Sequence, residues 1–357
     1  MSTNASSHIY LVAPIKLHGG LNNMLMNVAQ LLHDSCAQEN MVLVLPALNS
    51  GSGFFRSNYQ AGRIQTDLHF GDLFDVNAFI AGVEPCRVVD KPPSGATTVV
   101  AKVQNIQIDG PWNFSKPLAT VYRSLWPSAK LNGTLSGLLA RAARDAGPRW
   151  AAVHLRIERD WWWRTDFCHR PGLRRCYPPS EVASITGRSR AVLGATGALL
   201  MYAPDNLSPC GPAVELDAFS ANNTIKMAHE PKWSYTLRTA VEMFLAAAAP
   251  AGFYGNSYST FSRGVALLRH THCVANRHAA DSSTRRCKST QTFSYDCGPR
   301  AASTTMPILG RIFQVANNGS SCYQPAHRPP VKSCLQIMKE REQKSSQVKS
   351  RHPSSGS

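Results

Sequence analysis

Apolar and polar positions along this chain fall into blocks with a strand–helix–strand rhythm. The run IYLVAPI is followed by the turn KLHGGLNN, then by MLMNVAQLLHDSCAQEN, then by MVLVLP. In the third block Met24, Val28, Leu31 and Leu32 recur at helical spacing, so the pattern predicts strand, glycine turn, helix, strand. With such short connections this is a βαβ unit, which implies a parallel sheet in an α/β domain. The Gly19–Gly20 pair stands where the first strand hands over to the helix, the place where open α/β sheets take their ligands. The G-x-G-x-x-G spacing of a dinucleotide site is absent.

Further on, FGDLFDVNAFIAGV predicts a short helix after a turn, and TVVAKVQNIQI a strand. LNGTLSGLLARAARDAGPRW predicts a helix ended by Gly147 and Pro148, a natural boundary. A second set then begins. WAAVHLRI and GALLMYAP are strand-like and flank YPPSEVASITGRSR, a loop leading into a helix. SYTLRTAVEMFLAAAA is a long apolar helix, followed by the strand AGFYG, the loop NSYSTF and the helix SRGVALLR. The chain thus divides into two α/β halves, 1–148 and 149–324. Residues 325–357 carry seven Lys or Arg against two Glu among many Pro and Ser, and read as a basic, disordered tail.

Composition narrows the partners. With 43% apolar and 17% charged residues in 357, the chain is neither disordered nor fibrous as a whole. Its formal net charge of +16 calls for an anionic partner: nucleic acid, a membrane surface, a polyanionic glycan or a phosphorylated small molecule. No recognition helix or RNA-binding motif appears, so nucleic acid is not expected. Of ten cysteines none forms a C-x-x-C pair, which argues against a zinc ribbon. Cys168 and Cys176 are placed to close a short loop, and Cys273, Cys287, Cys297 and Cys322 to staple the C-terminal region; free buried thiols are the alternative. N-x-S/T acceptors occur at Asn4, Asn113, Asn132, Asn206, Asn222 and Asn318. The start MSTNASSHIYLVAPI has no basic region and only a seven-residue apolar run, too short for a leader or an anchor. Either the protein works inside the cell or this sequence lacks its leader.

Two stretches carry candidate chemistry. HLRIERDWWWR, residues 154–164, puts His154 and Arg156 on one face at the carboxyl end of a predicted strand. Arg149, Arg156, Arg159, Arg164, Arg170, Arg174 and Arg175 crowd the same edge of the sequence, and guanidinium suits phosphate because its planar fork donates two parallel bonds. The plainer alternative is an Arg paired with Glu158 or Asp160 on a domain surface. FYGNSYSTFSRGV, residues 253–265, is a short strand, a hydroxyl-rich turn and a helix start. The helix amides attract anions, and Ser259, Thr260 and Ser262 add donors; ordinary capping is the alternative. Trp161, Trp162 and Trp163 divide between core and a platform for a sugar ring or base. His270, His272 and Cys273 hint at a metal, but no second ligand pair stands at zinc spacing, and no metal is expected.

Four stretches, in order, resemble the GDP-fucose protein O-fucosyltransferases and their plant and algal relatives. HGGLNN (18–23) resembles the family's first motif, and FGDLFDVNAFI (70–80) another of its elements. VHLRIERDW (153–161) resembles its His-x-Arg motif, and FYGNSYSTFSRGV its Phe-x-Gly-Asn element. The resemblance implies a GT-B-like arrangement, two Rossmann-like domains whose parallel sheets face a cleft, with the acceptor side in 1–148 and the donor side in 149–324. It implies inverting, metal-independent transfer of fucose from GDP-fucose, as donor substrate and without a cofactor, to a hydroxyl of a protein or polysaccharide acceptor. Arg156 would then be the catalytic contact to the diphosphate. His154, Asn256, Ser259, Thr260, Phe261 and Ser262 would bind the donor, and Gly19, Gly20, Asn22 and Asn23 would line the acceptor side of the cleft. Golgi or ER lumen is the location the resemblance implies. Some members carry a Glu in the first motif where this chain has Leu21-Asn22-Asn23, which leaves the proton acceptor unassigned. An acidic residue before the Phe-x-Gly-Asn strand is replaced by LAAAAPAG, with Glu242 further upstream as a possible substitute. A non-catalytic glycan-binding protein on a transferase scaffold is the alternative.

Overall fold

The computed structural model describes residues 8–14, 17, 20–48, 68–102, 115–155, 182–201, 224–226, 234–256, 259–279 and 291–294. The first half supplies strands β1 (Ile9–Val12), β2 (Met41–Val44), β3 (Val88–Val89) and β4 (Thr98–Val100). Its helices are α1 (Leu21–Cys36), α2 (Phe70–Leu73), α3 (Val76–Gly82), α4 (Ser115–Ser124) and α5 (Ala129–Asp145). Strands β5 (Trp150–His154), β6 (Gly197–Met201), β7 (Thr224–Lys226), β8 (Gly252–Gly255) and β9 (Thr292–Ser294) follow, with helices α6 (Val182–Leu193), α7 (Tyr235–Ala247) and α8 (Thr260–Ala279).

Every strand pairing among the described residues is parallel. The first sheet runs β3-β2-β1-β4 and the second β7-β6-β5-β8-β9. In each, the chain winds outward on one side and then returns to the other, so each has a switch point: between β1 and β4, and between β5 and β8. Crevices outside the carboxyl ends of strands form at such points. The βαβ unit read from the sequence is present, with Ile9 opposite Met41 in register.

Strand alternation sorts the second sheet's side chains between two cores. Ala151, Val153, Ala198, Leu200 and Tyr254 face one apolar cluster with Ile185 and Leu193 of α6. Trp150, Ala152, Leu199, Met201 and Phe253 face the other, which continues through Phe244 without a break into Leu11, Leu25, Val28 and Phe74 of the first half. Phe74 and Phe244 meet edge to face at 6.0 Å. Strands buried on both faces must read as continuous apolar runs, which is why WAAV and GALLM lack polar alternation.

Several elements depart from the sequence expectations. The FGDLFDVNAFIAGV helix is split into α2 and α3 because Asp75 caps a new start, its carboxylate accepting from the Ala78 amide at 2.9 Å. Helix α1 starts at Leu21, a turn-length earlier than the apolar periodicity indicates, directly after Gly20. Helix α8 reaches Ala279, beyond the predicted SRGVALLR. Short β3, β7 and β9, and helix α4, carried too few periodic positions to be read. A disulfide joins Cys36 to Cys86, with Cα atoms 5.0 Å apart, a pairing the sequence reading did not consider. Cys168, Cys176, Cys287, Cys297 and Cys322 lie outside the described residues, as does the 325–357 tail. No helix among the described residues is long and apolar enough to cross a membrane.

Candidate functional site

The second sheet's switch point is where both singled-out stretches arrive. Register places Val153 opposite Tyr254, so His154 and Asn256 leave the sheet at the same edge. His154 shares the parity of Trp150 and Ala152, and so faces the side that α8 covers. Its Nδ1 lies 2.8 Å from the Ser262 hydroxyl oxygen, and that oxygen accepts the Asn256 amide at 3.0 Å. The imidazole packs against the Phe261 ring at 4.6 Å. His154, Asn256 and Ser262 are all buried. One serine thus ties the end of β5, the end of β8 and the first turn of α8 into a single knot.

Gly255 makes the knot possible. A Cβ there would lie 2.6 Å from both the Ser262 oxygen and the Phe253 ring. Helix α8 comes this close to β8 only over a residue without a side chain. The Ser259 amide donates to the Asn256 carbonyl at 3.0 Å, and the Ser259 carbonyl accepts from Arg263 at 3.0 Å to open the helix ladder. The amides of Thr260, Phe261 and Ser262 come before that ladder and stand at the positive end of a 20-residue helix dipole.

Helix α1 brings a second positive end to the same place. The Gly20 carbonyl receives the Asn23 and Met24 amides, and Gly20 precedes the helix in extended backbone without a side-chain cap. Asn22, in the first turn of α1, accepts a hydrogen bond from the Tyr122 hydroxyl at 2.8 Å. A Cβ on Gly264 would overlap the Asn22 carboxamide and reach within 2.9 Å of the Tyr122 oxygen. The first turns of α1 and α8, which leave the carboxyl ends of two different sheets, therefore touch. Burial raises the Tyr122 phenol far above its ordinary range, so it remains the donor in this contact.

These positions correct the sequence reading in three ways. Ser262 does not offer its hydroxyl outward; two buried groups must be satisfied there, and it satisfies them. Asn22 does not line an open wall but fills the helix–helix contact. Arg149 precedes β5 at its amino end, roughly 16 Å from the His154 edge at the usual strand rise, and cannot join a cluster there. Ser259 is buried, while Thr260, Phe261, Gly20 and Asn23 are partly exposed. Arg156, Gly19, the remaining arginines and Trp161, Trp162 and Trp163 lie outside the described residues.

Two further groups resolve differently from their sequence appearance. Glu242 is bound to Arg238 one turn earlier on α7 at 2.8 Å, with both side chains buried; burial raises its carboxyl and Arg238 opposes this. His272 stacks on Trp126 at 4.3 Å, and burial lowers its pKa to about 4 against the pull of the Leu125 and Tyr122 carbonyls. Among the described residues no cluster of His, Cys, Asp and Glu is arranged to hold a metal ion. Sequence reasoning passed over Arg263, which is buried in the first turn of α8. A guanidinium beside a helix's positive end is unfavourable without matching acceptors, and an Arg inside the apolar run FSRGVALL was the available signal.

No family model matches this chain, and no curated protein matches it. Solved structures do. POFUT1 in complex with GDP, in crystal form III, is 13% identical over 75% of this chain and 97% of its own, with a TM-score of 0.50. The POFUT1 apo form gives 13%, 76%, 97% and 0.50. The NodZ alpha-1,6-fucosyltransferase soaked with GDP-fucose, at 10% identity, 73% and 92% coverage and a TM-score of 0.39, is too distant to carry an argument. The chain therefore has a POFUT1-like α/β fold built on two parallel sheets.

Proposed function

We propose that this protein is a glycosyltransferase that moves fucose from GDP-fucose to a hydroxyl of a protein or glycan, with inversion and without a metal ion. The observation that carries the reading is the knot of His154, Ser262 and Asn256 at the β5–β8 switch point, with the first turn of α1 packed over Gly264 of the same α8 helix. A departing nucleoside diphosphate gains negative charge as the glycosidic bond breaks. Groups fixed in advance near that oxygen lower the barrier most, because nothing has to reorganise when the charge appears. The helix amides ahead of Arg263 and the Thr260 hydroxyl supply neutral donors. Arg156, two residues beyond His154, supplies the positive charge. Ser262 acts one step back, holding His154 and the strand–helix turn in place.

The fold likeness and the four motif stretches support the guanine nucleotide and fucose in this proposal. The POFUT1 structure in crystal form III is a complex with GDP. A second reading, glycan binding without turnover, is favoured by Glu242, the possible substitute for the acidic residue missing before β8, whose carboxylate is committed to Arg238 within α7. Calorimetric titration with GDP, GDP-fucose and UDP in EDTA separates the two. Binding of both guanine nucleotides, weak binding of UDP and loss of binding in Arg156→Ala is the expected pattern. Folded protein that binds neither guanine nucleotide would refute the transferase reading and leave the glycan-binding one.

A further inference from the structure

We propose that Asn132 is a site of N-glycosylation, an inference independent of the donor-site reading. Of the six N-x-S/T triplets, Asn132-Gly133-Thr134 is the one that falls wholly among the described residues. It lies in the first turns of α5, after the cap in which the Ser128 hydroxyl accepts the Leu131 amide. The helix buries Leu131, Leu135 and Ala142, whereas Asn132, Gly133 and Thr134 are all exposed. A Cβ built on Gly133 meets nothing within 4 Å, so the surface beside the asparagine is open. The Asn132 backbone serves the helix, its amide donating to Ser128 and its carbonyl accepting from Ser136, which leaves the exposed carboxamide as the reactive group.

Transfer requires the triplet to be extended, so a stable helix would block it. The stretch Asn132-Gly133-Thr134-Leu135-Ser136-Gly137 is a weak helix former: Gly is the poorest helix former after Pro, and Asn, Thr and Ser rank low as well. Those exposed glycines make no contact that would explain them in the folded state. Before α5 docks through its apolar face, the triplet is therefore open to a transferase, and afterwards the glycan stands in solvent without displacing anything. The co-reactant is an oligosaccharide carried on a lipid diphosphate. The Asn132 amide nitrogen bonds to its C1, the C1–O bond breaks with its electron pair leaving on the diphosphate, and the amide gives up one proton. The Cys36–Cys86 disulfide fits the same oxidising lumen independently.

The test is secretion of the full chain, behind a secretory leader, from eukaryotic cells, followed by enzymatic deglycosylation in heavy-oxygen water and tryptic mapping. Trypsin releases Leu131–Arg141 as one peptide. The expected result is this peptide carrying labelled Asp at position 132, and a gel mobility shift reduced by one glycan in both Asn132→Gln and Thr134→Ala. Recovery of the peptide solely with unmodified Asn132, from secreted protein in which Cys36 and Cys86 are linked, overturns the proposal. The same peptide result from secreted protein with those cysteines reduced overturns it equally.

Discussion

Arg269 is the most exacting test of how the second half of the chain is held. It projects from α8 and is 4% exposed, and its Nη1 donates to the carbonyls of Ala246, Ala247 and Ala249 at 3.1, 2.8 and 3.0 Å. Those carbonyls lie at and just beyond the end of α7, where the helix dipole is negative and helical bonding runs out. Burial lowers the guanidinium's pKa to about 10, so it stays charged at neutral pH at a desolvation cost of roughly 3 kcal/mol. Two protons shared among three acceptors amount to two charge-assisted bonds, worth about 3–6 kcal/mol together. Arg269→Met keeps much of the volume and abolishes the desolvation cost, but leaves the Ala247 and Ala249 carbonyls without this donor, while the Ala246 carbonyl keeps the Ala249 amide. Each such group costs about 1–3 kcal/mol before relaxation. We expect a net loss of about 3 kcal/mol, in line with breaking other buried polar pairs. For a chain of 357 residues that lowers Tm by roughly 4 °C. Urea unfolding should show the same loss with an unchanged m-value, and Arg269→Lys should fall between the two. A Tm for Arg269→Met within about 2 °C of wild type would refute the capping argument.

Three other outcomes follow from the same structure. Gly264→Ala drives a methyl group into Asn22 and Tyr122 and should cost about 1–3 kcal/mol; Asn22→Ala in that background should recover part of it, an interaction seen by a double-mutant cycle of urea melts. His272 is held near 4 in the fold and returns to about 6.5 when unfolded, so the unfolded chain binds its proton first as pH falls. Stability should therefore drop between pH 6.5 and 4, and His272→Gln should flatten that limb in thermal melts; raised Glu242 works in the opposite direction and cannot produce the drop. Removing the Cys36–Cys86 bridge frees a 50-residue separation and should cost about 4 kcal/mol by loop entropy, measured as a lower urea midpoint for Cys36→Ser/Cys86→Ser.

The alternation of buried strands and amphipathic helices was legible because it is set by local periodicity. IYLV, MVLV, WAAVH, GALLM and GFYG became strands, and Gly20 and Ser259 stand at the helix starts where the turn residues place them. That His154 and the FYGNSYSTFS stretch meet was also foreseeable, since parallel strands deliver their carboxyl ends to one edge. What a side chain faces there was not. Ser262 reads in sequence as one more hydroxyl of a phosphate-binding turn, and only the approach of α8 over Gly255 turns it inward to His154. Asn22 and Gly264 are 242 positions apart, and no periodicity links them; packing of two helix starts from different sheets makes one the floor of the other. Glu242 and Arg238 could be seen as an i, i+4 pair, but burial, which makes the pair structural rather than available, belongs to the neighbours of α7. Sequence by itself determined the longer elements and their order, because those depend on spacing of a few residues. The tertiary structure decided which polar groups remain open to a ligand, because that depends on what distant segments cover.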